Sequence, residues 1–324
     1  MTIAILGAGI SGLSAARELR SNGKTVKIFE KSRGVGGRMS TRYADQWEFD
    51  HGAQYFTIQN EDFRAEVEAA IASKAVAPWL SRGLYMNSDS VVSADRGGNR
   101  YVGTPRMNSL PKFWSKDLDI DLGRRVCRME REKGISLHFE DGTVESGFEA
   151  VISTLPPEQA KAVLPIADAE RLNLLSKAHM HACFTLMIGW PRPFNMDWDS
   201  LRVKDLPIDW ISVNSAKPDR TVDVGTLVIT SEPNWSDWHV DADHVWIKNV
   251  MLSAASSLTG LTLETAPHQV LHRWLYASNK SSPNVACLGE GDIILCGDWC
   301  QGGRVEGAWL SGRAAARRFL SLTP

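Results

Sequence analysis

The chain opens on Thr2-Ile3-Ala4-Ile5-Leu6, a run with almost no polar alternation, which is the pattern of a strand buried on both faces of a parallel sheet. A glycine-rich turn leads into residues 13–20, which are good helix formers, and Asn22-Gly23 stops that helix. Residues 25–30 read as a second buried strand, so the chain begins with a βαβ unit. Residues 62–72 have helical periodicity. Thr104-Pro105 supplies a cap and a first helical position for a helix reaching about Trp114. Residues 124–131 and 135–140 predict a hairpin closing at Asp141-Gly142, and residues 151–154 another buried strand, cut off by Pro156-Pro157. From about Glu158 to Pro283 helix and strand signals mix, with loops at Pro191-Arg192-Pro193 and Lys217-Pro218-Asp219. The first texture then returns as a strand over 292–296, a glycine loop and a helix over 305–320.

Composition narrows the function classes. Thirty-six Lys and Arg against 38 Asp and Glu give a formal charge of −2, without the basic excess of a nucleic-acid binder. The five cysteines are scattered and form no CxxC pair, which suits a reduced, cytoplasmic protein better than a disulfide framework. No apolar run reaches the ~18 residues a membrane span needs. The apolar stretch from Met1 to Ala16 follows no Lys or Arg, and its glycines have another explanation, so it is not read as a signal peptide. Neither Cys296 with Cys300 nor His268 with His272 has the partners of a metal site, and no metal is expected. Seven of the twelve tryptophans fall between residues 190 and 274.

The turn after the first strand is Gly7-Ala8-Gly9-Ile10-Ser11-Gly12, a G-x-G-x-x-G between strand and helix. Gly7 permits the tight turn, Gly9 lets a pyrophosphate approach the backbone, and Gly12 lets helix and strand pack closely. The helix N-terminus offers free N–H groups and partial positive charge to the phosphates. Glu30, 18 positions past Gly12, ends the second strand as the acceptor for a ribose diol. Neither Gly97-Gly98 nor Gly302-Gly303 makes a second such fingerprint, so a nicotinamide acting here binds as a substrate and not on its own Rossmann fold. Directly after Glu30, the small residues of Gly34-Val35-Gly36-Gly37-Arg38-Met39-Ser40-Thr41-Arg42 allow close contact, and Arg38 and Arg42 could neutralise phosphate.

That last segment resembles the G-G-R-x-x-T stretch of FAD-dependent amine-oxidase-like flavoproteins. The terminal run from Gly297-Asp298 through Val305-Glu306-Gly307 is similar to their C-terminal FAD segment. Together with Phe49-Asp50-His51-Gly52-Ala53-Gln54-Tyr55-Phe56-Thr57 and His272-Arg273-Trp274-Leu275-Tyr276, these features resemble the renalase group of that superfamily. The resemblance implies an α/β architecture. In it a discontinuous Rossmann-like FAD-binding domain (residues 1–60, 99–158 and 284–324) carries an inserted mixed α+β substrate domain (61–98 and 159–283), as in amine oxidases and p-hydroxybenzoate hydroxylase. It implies noncovalent FAD, since no cysteine stands in the Gly302-Gly303 loop. Expected FAD contacts are Gly7, Gly9, Ser11, Gly12, Glu30, Lys31, Gly37, Arg38, Met39, Gly52, Ala53, Gln54, Tyr55, Val126 at the adenine, Asp298 at the ribityl chain, Glu306 and Gly307. The implied reaction is oxidation of 2- or 6-dihydro isomers of NAD(P) to NAD(P)+, with O2 reduced to hydrogen peroxide. Such a hydride transfer needs no side-chain base, and none is assigned. Tyr55, Phe56, Thr57, Trp274 and Tyr276 are expected to line the substrate pocket, with Arg96 as its anion anchor and His51 structural. Oxidation of a small amine, and a flavin-binding module without turnover, are the rival readings.

Overall fold

Thr2–Leu6 lies inside a parallel sheet, paired on one side with Thr25–Glu30 and on the other with Val144–Ser153. Ile120–Leu122 and Ile293–Leu295 extend it outward, also in parallel. The computed structural model describes residues 2–87, 91–95, 98–132 and 134–322. Ile3 and Ile5 pack into a core beneath the helices Ile10–Ser21 and Val305–Leu322, while Ala4 and Leu6 enter a second core on the other face. Both faces are covered, which is why the opening strand shows no polar alternation.

The strand at residues 144–153 is longer than its sequence suggests. Val144–Ser153 spans 10 residues; its first half pairs antiparallel with Ile135–Phe139 and its second half parallel with Thr2–Leu6. The Asp141-Gly142 turn therefore joins 135–139 to this strand, whereas Val126–Glu130 and Ile135–Phe139 connect through residues 131–134. The outer half faces solvent, so no apolar run announces it. A second correction concerns Thr104-Pro105. The helix begins only at Ser109 and runs to Trp114, because the Thr104 hydroxyl donates to the Lys74 carbonyl at 2.7 Å instead of capping a helix.

A second, seven-stranded sheet runs in the order 268–281, 179–190, 225–231, 208–213, 200–203, 83–86, 91–95. One face packs Phe184, Leu186, Ile211 and Ile229 against the helix His244–Thr259; the other carries Thr185, whose hydroxyl donates to the His51 carbonyl. A small sheet of 56–57, 100–103 and 76–78 sits between the two. The helix Glu61–Ala72 buries Phe63, Val67 and Ala70 in the same core as Leu13, Trp114 and Trp309.

Candidate active site

The fingerprint turn is built for close approach. Gly7 has φ +105°, and a Cβ on Gly12 would lie 2.0 Å from the Gly7 carbonyl oxygen, so neither tolerates a side chain. A Cβ on Gly9 would meet nothing within 4 Å, which leaves that side open to a ligand. The helix Ile10–Ser21 starts at Gly9 with no side-chain cap and no acid in its first turn, so its leading N–H groups remain available to an anion. Gly36 N–H donates to the Ala8 carbonyl at 2.9 Å, laying the second glycine segment alongside the first.

Glu30 is 5% exposed, and its two carboxylate oxygens accept the Ala8 and Ser32 N–H groups, each at 2.8 Å. These bonds fix the carboxylate at the strand end and leave lone pairs for a diol. Arg124 N–H donates to the Glu30 carbonyl at 2.8 Å and Gly123 N–H to that of Ser32 at 3.0 Å, which brings the segment leading to Val126 beside the same point. Lys31 is exposed next to it.

Two expected FAD residues meet each other. The Arg38 guanidinium is bidentate on the Asp298 carboxylate, with Nη1 at 2.8 Å, and also donates to the Ala277 carbonyl at 3.0 Å. This pair joins the N-terminal glycine segment to the strand–helix unit at the other end of the chain. Gly52 packs against it: a Cβ there would fall 2.0 Å from the Arg38 carbonyl oxygen, and Ala53 N–H donates to that oxygen at 2.8 Å. Arg42, by contrast, sits exposed on the ribbon 42–44/47–49, where its charge acts on His51, His268 and His272. Glu306 accepts the N–H groups of Gln59 (2.7 Å) and Asn60 (3.0 Å), so its side chain ties the final helix to residues 59–60.

Beneath the 50–55 loop lies a buried charge network that no sequence pattern announced. Asp50 accepts from Arg220 (2.7 Å), Lys217 (3.4 Å), Thr41 (2.9 Å) and Met107 N–H (2.9 Å), and all three charged side chains are at most 2% exposed. Burial alone would raise the Asp50 carboxyl; the Lys217 and Arg220 charges outweigh it and hold it at about 2. Burial pushes the Lys217 ammonium down to about 8, against the attraction of Asp50. Lys217 also donates to the Gln54 amide oxygen at 3.2 Å, while Gln54 donates to the Asp50 and Gly52 carbonyls at 2.6 and 3.0 Å. The loop is thereby clamped from both ends.

The inner face of the second sheet covers this loop. His272, Thr185, Thr230, Trp210, Arg202 and Tyr85 lie side by side across six paired strands. At one end, the Thr185 hydroxyl and Trp274 indole donate to the His51 carbonyl at 3.1 and 3.0 Å. Burial, followed by His272 and Arg42, lowers His51 to about 4, so its imidazole is neutral near pH 7. At the other end, Arg202 donates to the Tyr55 hydroxyl at 3.2 Å, and the Arg100 guanidinium stacks 4.5 Å from the Tyr55 ring. Trp274 and Tyr276 lie on the strand His268–Ser281, whose pairing with His179–Trp190 is irregular just past Trp274. Phe56 does not join the pocket: it is 3% exposed and packs on Tyr101 and Phe63 in the core. Thr57 pairs with Arg100. Arg96 lies outside the described residues.

Among the described residues no cluster of His, Cys, Asp and Glu could hold a metal ion, and no helix is long and apolar enough to cross a membrane. A phosphate cradle, a fixed ribose acid and a second sheet roofing the 50–55 loop fit an FAD molecule laid along the first sheet, and they define an α/β FAD-dependent oxidoreductase.

Comparison with known proteins agrees. Residues 5–68 match the NAD(P)-binding Rossmann-like domain and residues 68–320 the flavin containing amine oxidoreductase family, to which the chain belongs. The cofactor is FAD. Over 52 residues the chain is 50% identical to 4,4'-diapophytoene desaturase of Staphylococcus aureus, a match covering 16% of this chain and 10% of that protein's length. Solved structures share the fold. Cyclohexylamine oxidase from Brevibacterium oxydans aligns with a TM-score of 0.77 at 14% identity over 98% of both chains. Putrescine oxidase bound to putrescine gives 0.73 at 13% over 99% of both, and reduced UDP-galactopyranose mutase 0.77 at 11% over 99% of this chain and 96% of its own.

Proposed function

We propose that this protein oxidises isomeric dihydronicotinamides, the 2- or 6-dihydro forms of NAD(P), to NAD(P)+. One dihydronicotinamide, one O2 and one proton give one NAD(P)+ and one hydrogen peroxide. FAD, when bound, supplies the hydride acceptor and the electron path to O2. The chain's part is to hold the phosphates at the Ile10–Ser21 helix, the ribose at Glu30 and the 50–55 loop in one geometry, under a sheet that excludes water. Residues 1–60, 99–158 and 284–324 form the FAD-holding part of this reading, and 61–98 with 159–283 the substrate side.

The observation that carries the reading is the charge around Tyr55. Arg202 donates to its hydroxyl at 3.2 Å, with no carboxylate within 4 Å of that guanidinium among the described residues, and the Arg100 guanidinium lies 4.5 Å from its ring. A like charge about 5 Å away costs roughly 3 kcal/mol at an effective dielectric of ~20, which disfavours an ammonium substrate and favours an anionic dinucleotide. The family and its solved amine oxidases favour the other reading, oxidation of a small amine.

The pH dependence of anaerobic flavin reduction separates the two. Burial holds the His51 imidazole down at about 4 and the Lys217 ammonium down at about 8, so neither changes its protonation state through the middle of the range between them. With a 6-dihydro isomer at saturation, the stopped-flow rate should change less than about threefold between pH 5.5 and 7.5, short of the ~10²-fold effect of losing a general base. An amine with an ammonium pKa near ~10 must first lose its proton, so its rate would climb roughly tenfold per pH unit across the same window. Bleaching by amines alone, with that slope, would overturn the proposal.

We also expect the FAD to be noncovalent. A thioether needs an attacking thiolate. Burial pushes the Cys296 thiol up to about 12 and that of Cys300 higher still, and both are fully buried. Acid precipitation should leave a colourless pellet and a yellow supernatant; colour retained in the pellet would contradict this.

A further inference from the structure

The buried network under the 50–55 loop is not charge-balanced. Lys217 and Arg220 are two cations and Asp50 is one anion, all at most 2% exposed, so the cluster keeps one positive charge in excess. Among the described residues no other carboxylate lies within 4 Å of either cation. The bonds to Asp50 sort the two cations. Arg220 holds Oδ2 through both Nε (3.3 Å) and Nη2 (2.7 Å), whereas Lys217 reaches the same oxygen only at 3.4 Å. The closer acceptors of the Lys217 ammonium are neutral, the Asn214 amide oxygen at 3.0 Å and that of Gln54 at 3.2 Å. Asp50 and Arg220 are therefore the pair, and Lys217 is the extra charge.

A buried ammonium without its own counter-ion is costly, and for stability alone an apolar side chain would serve as well. Burial pulls Lys217 down to about 8 yet leaves it charged at pH 7. Its position gives that cost a use. Gln54 belongs to the loop, and the loop lies on the cofactor cradle. Ala53 N–H donates to the Arg38 carbonyl, Gly52 packs on the same oxygen, and a Cβ on Gly37 would fall 3.4 Å from Gly9 Cα in the fingerprint turn. The ammonium is thus one side chain removed from backbone that borders the cradle. A hydride carries two electrons and one proton, so a reduced flavin holds one negative charge more than an oxidised one. At an effective dielectric of ~20, two unit charges still shift an equilibrium more than tenfold at roughly 10 Å.

We propose that Lys217 is a positioning residue for the cofactor: it fixes the Gln54 amide in the loop, and its uncompensated charge favours the reduced over the oxidised flavin. The inference goes beyond the choice of substrate, because it holds for any hydride donor, and its test is independent of turnover.

The midpoint potential of the bound FAD is measured at pH 6.5 by anaerobic equilibration with a reference dye, so no substrate enters. Lys217→Met and Lys217→Gln should each shift the equilibrium about tenfold toward the oxidised form, a drop of about 30 mV for a two-electron couple. Lys217→Arg keeps the charge and should stay within about twofold of the wild-type equilibrium. The glutamine variant separates charge from support, since its amide can still donate to Gln54. A merely structural role would leave its potential at the wild-type value, and that result would overturn the proposal. An arginine variant whose potential falls as far as that of the methionine variant would overturn it too. If Lys217→Met fails to retain FAD, the glutamine and arginine variants carry the comparison. A wild type that dihydronicotinamide isomers do not reduce, but whose potential responds to loss of this charge, would instead overturn the functional reading and leave the role of Lys217 standing.

Discussion

Asp50→Asn is expected to destabilise the protein by at least about 3 kcal/mol, within the ~3–5 kcal/mol typical of removing one partner from a buried ion pair. The amide keeps the shape of the carboxylate but leaves Lys217 and Arg220, which are at most 2% exposed, without an anion. Lys217→Met should cost much less, roughly 1 kcal/mol, because Asp50 and Arg220 then remain a neutral pair. Urea unfolding of the two variants and the wild type, in matched FAD, makes the comparison; equal costs would mean that the network is not held together by charge balance. The same carboxylate sets an acid limit. Its pKa is depressed to about 2 in the folded chain, so its stabilisation is fully present above about pH 4 and is lost as pH falls through 2. At ~1.4 kcal/mol per tenfold change in proton affinity this amounts to roughly 2 kcal/mol, and Asp50→Asn should lack that part of the acid slope.

Glu30→Arg is expected to abolish retention of FAD. Two ribose hydrogen bonds to a charged acceptor are worth roughly 3–6 kcal/mol, a loss of more than about a hundredfold in affinity. The structure adds a second cost, since the same oxygens hold the Ala8 and Ser32 N–H groups of the turn that faces the phosphates. Thermal unfolding of the protein stripped of FAD isolates this local cost, and the ratio of flavin to protein absorbance after gel filtration gives the total. Unchanged occupancy would show that Glu30 does not hold the ribose.

The nucleotide half was legible because its chemistry is local. Gly7, Gly9, Gly12 and Glu30 lie within one βαβ unit, and backbone geometry dictates their spacing. The return of a strand and helix near residue 293 was legible from texture alone. What stayed hidden is held together across the sequence. Asp50 meets Lys217 and Arg220 from about 170 positions away, and Arg202 reaches Tyr55 across 147. No spacing rule links such residues, and the Lys217-Pro218-Asp219 stretch carried only the signal of a loop. Phe56 was misplaced for a simpler reason: within a motif that resembles a cofactor loop, strand alternation sends it to the core.

The way the two ends of the chain meet also bears on synthesis. The helix Ile10–Ser21 packs along Val305–Leu322, where the Ser14 hydroxyl donates to the Trp309 carbonyl at 2.8 Å and Arg313 and Arg317 pair with Glu18. On a ribosome the first helix therefore emerges almost 300 residues before its partner, as the 295-residue separation of Ser14 and Trp309 measures. At about 5–20 residues per second it waits on the order of 15–60 seconds with its apolar face unpaired. The second sheet, contiguous but for two strands at one edge, can close during that interval, whereas the pairing of the two helices waits for the later of them. The earliest-made segment of the molecule therefore completes its packing among the last, and chaperone dependence should concentrate on it.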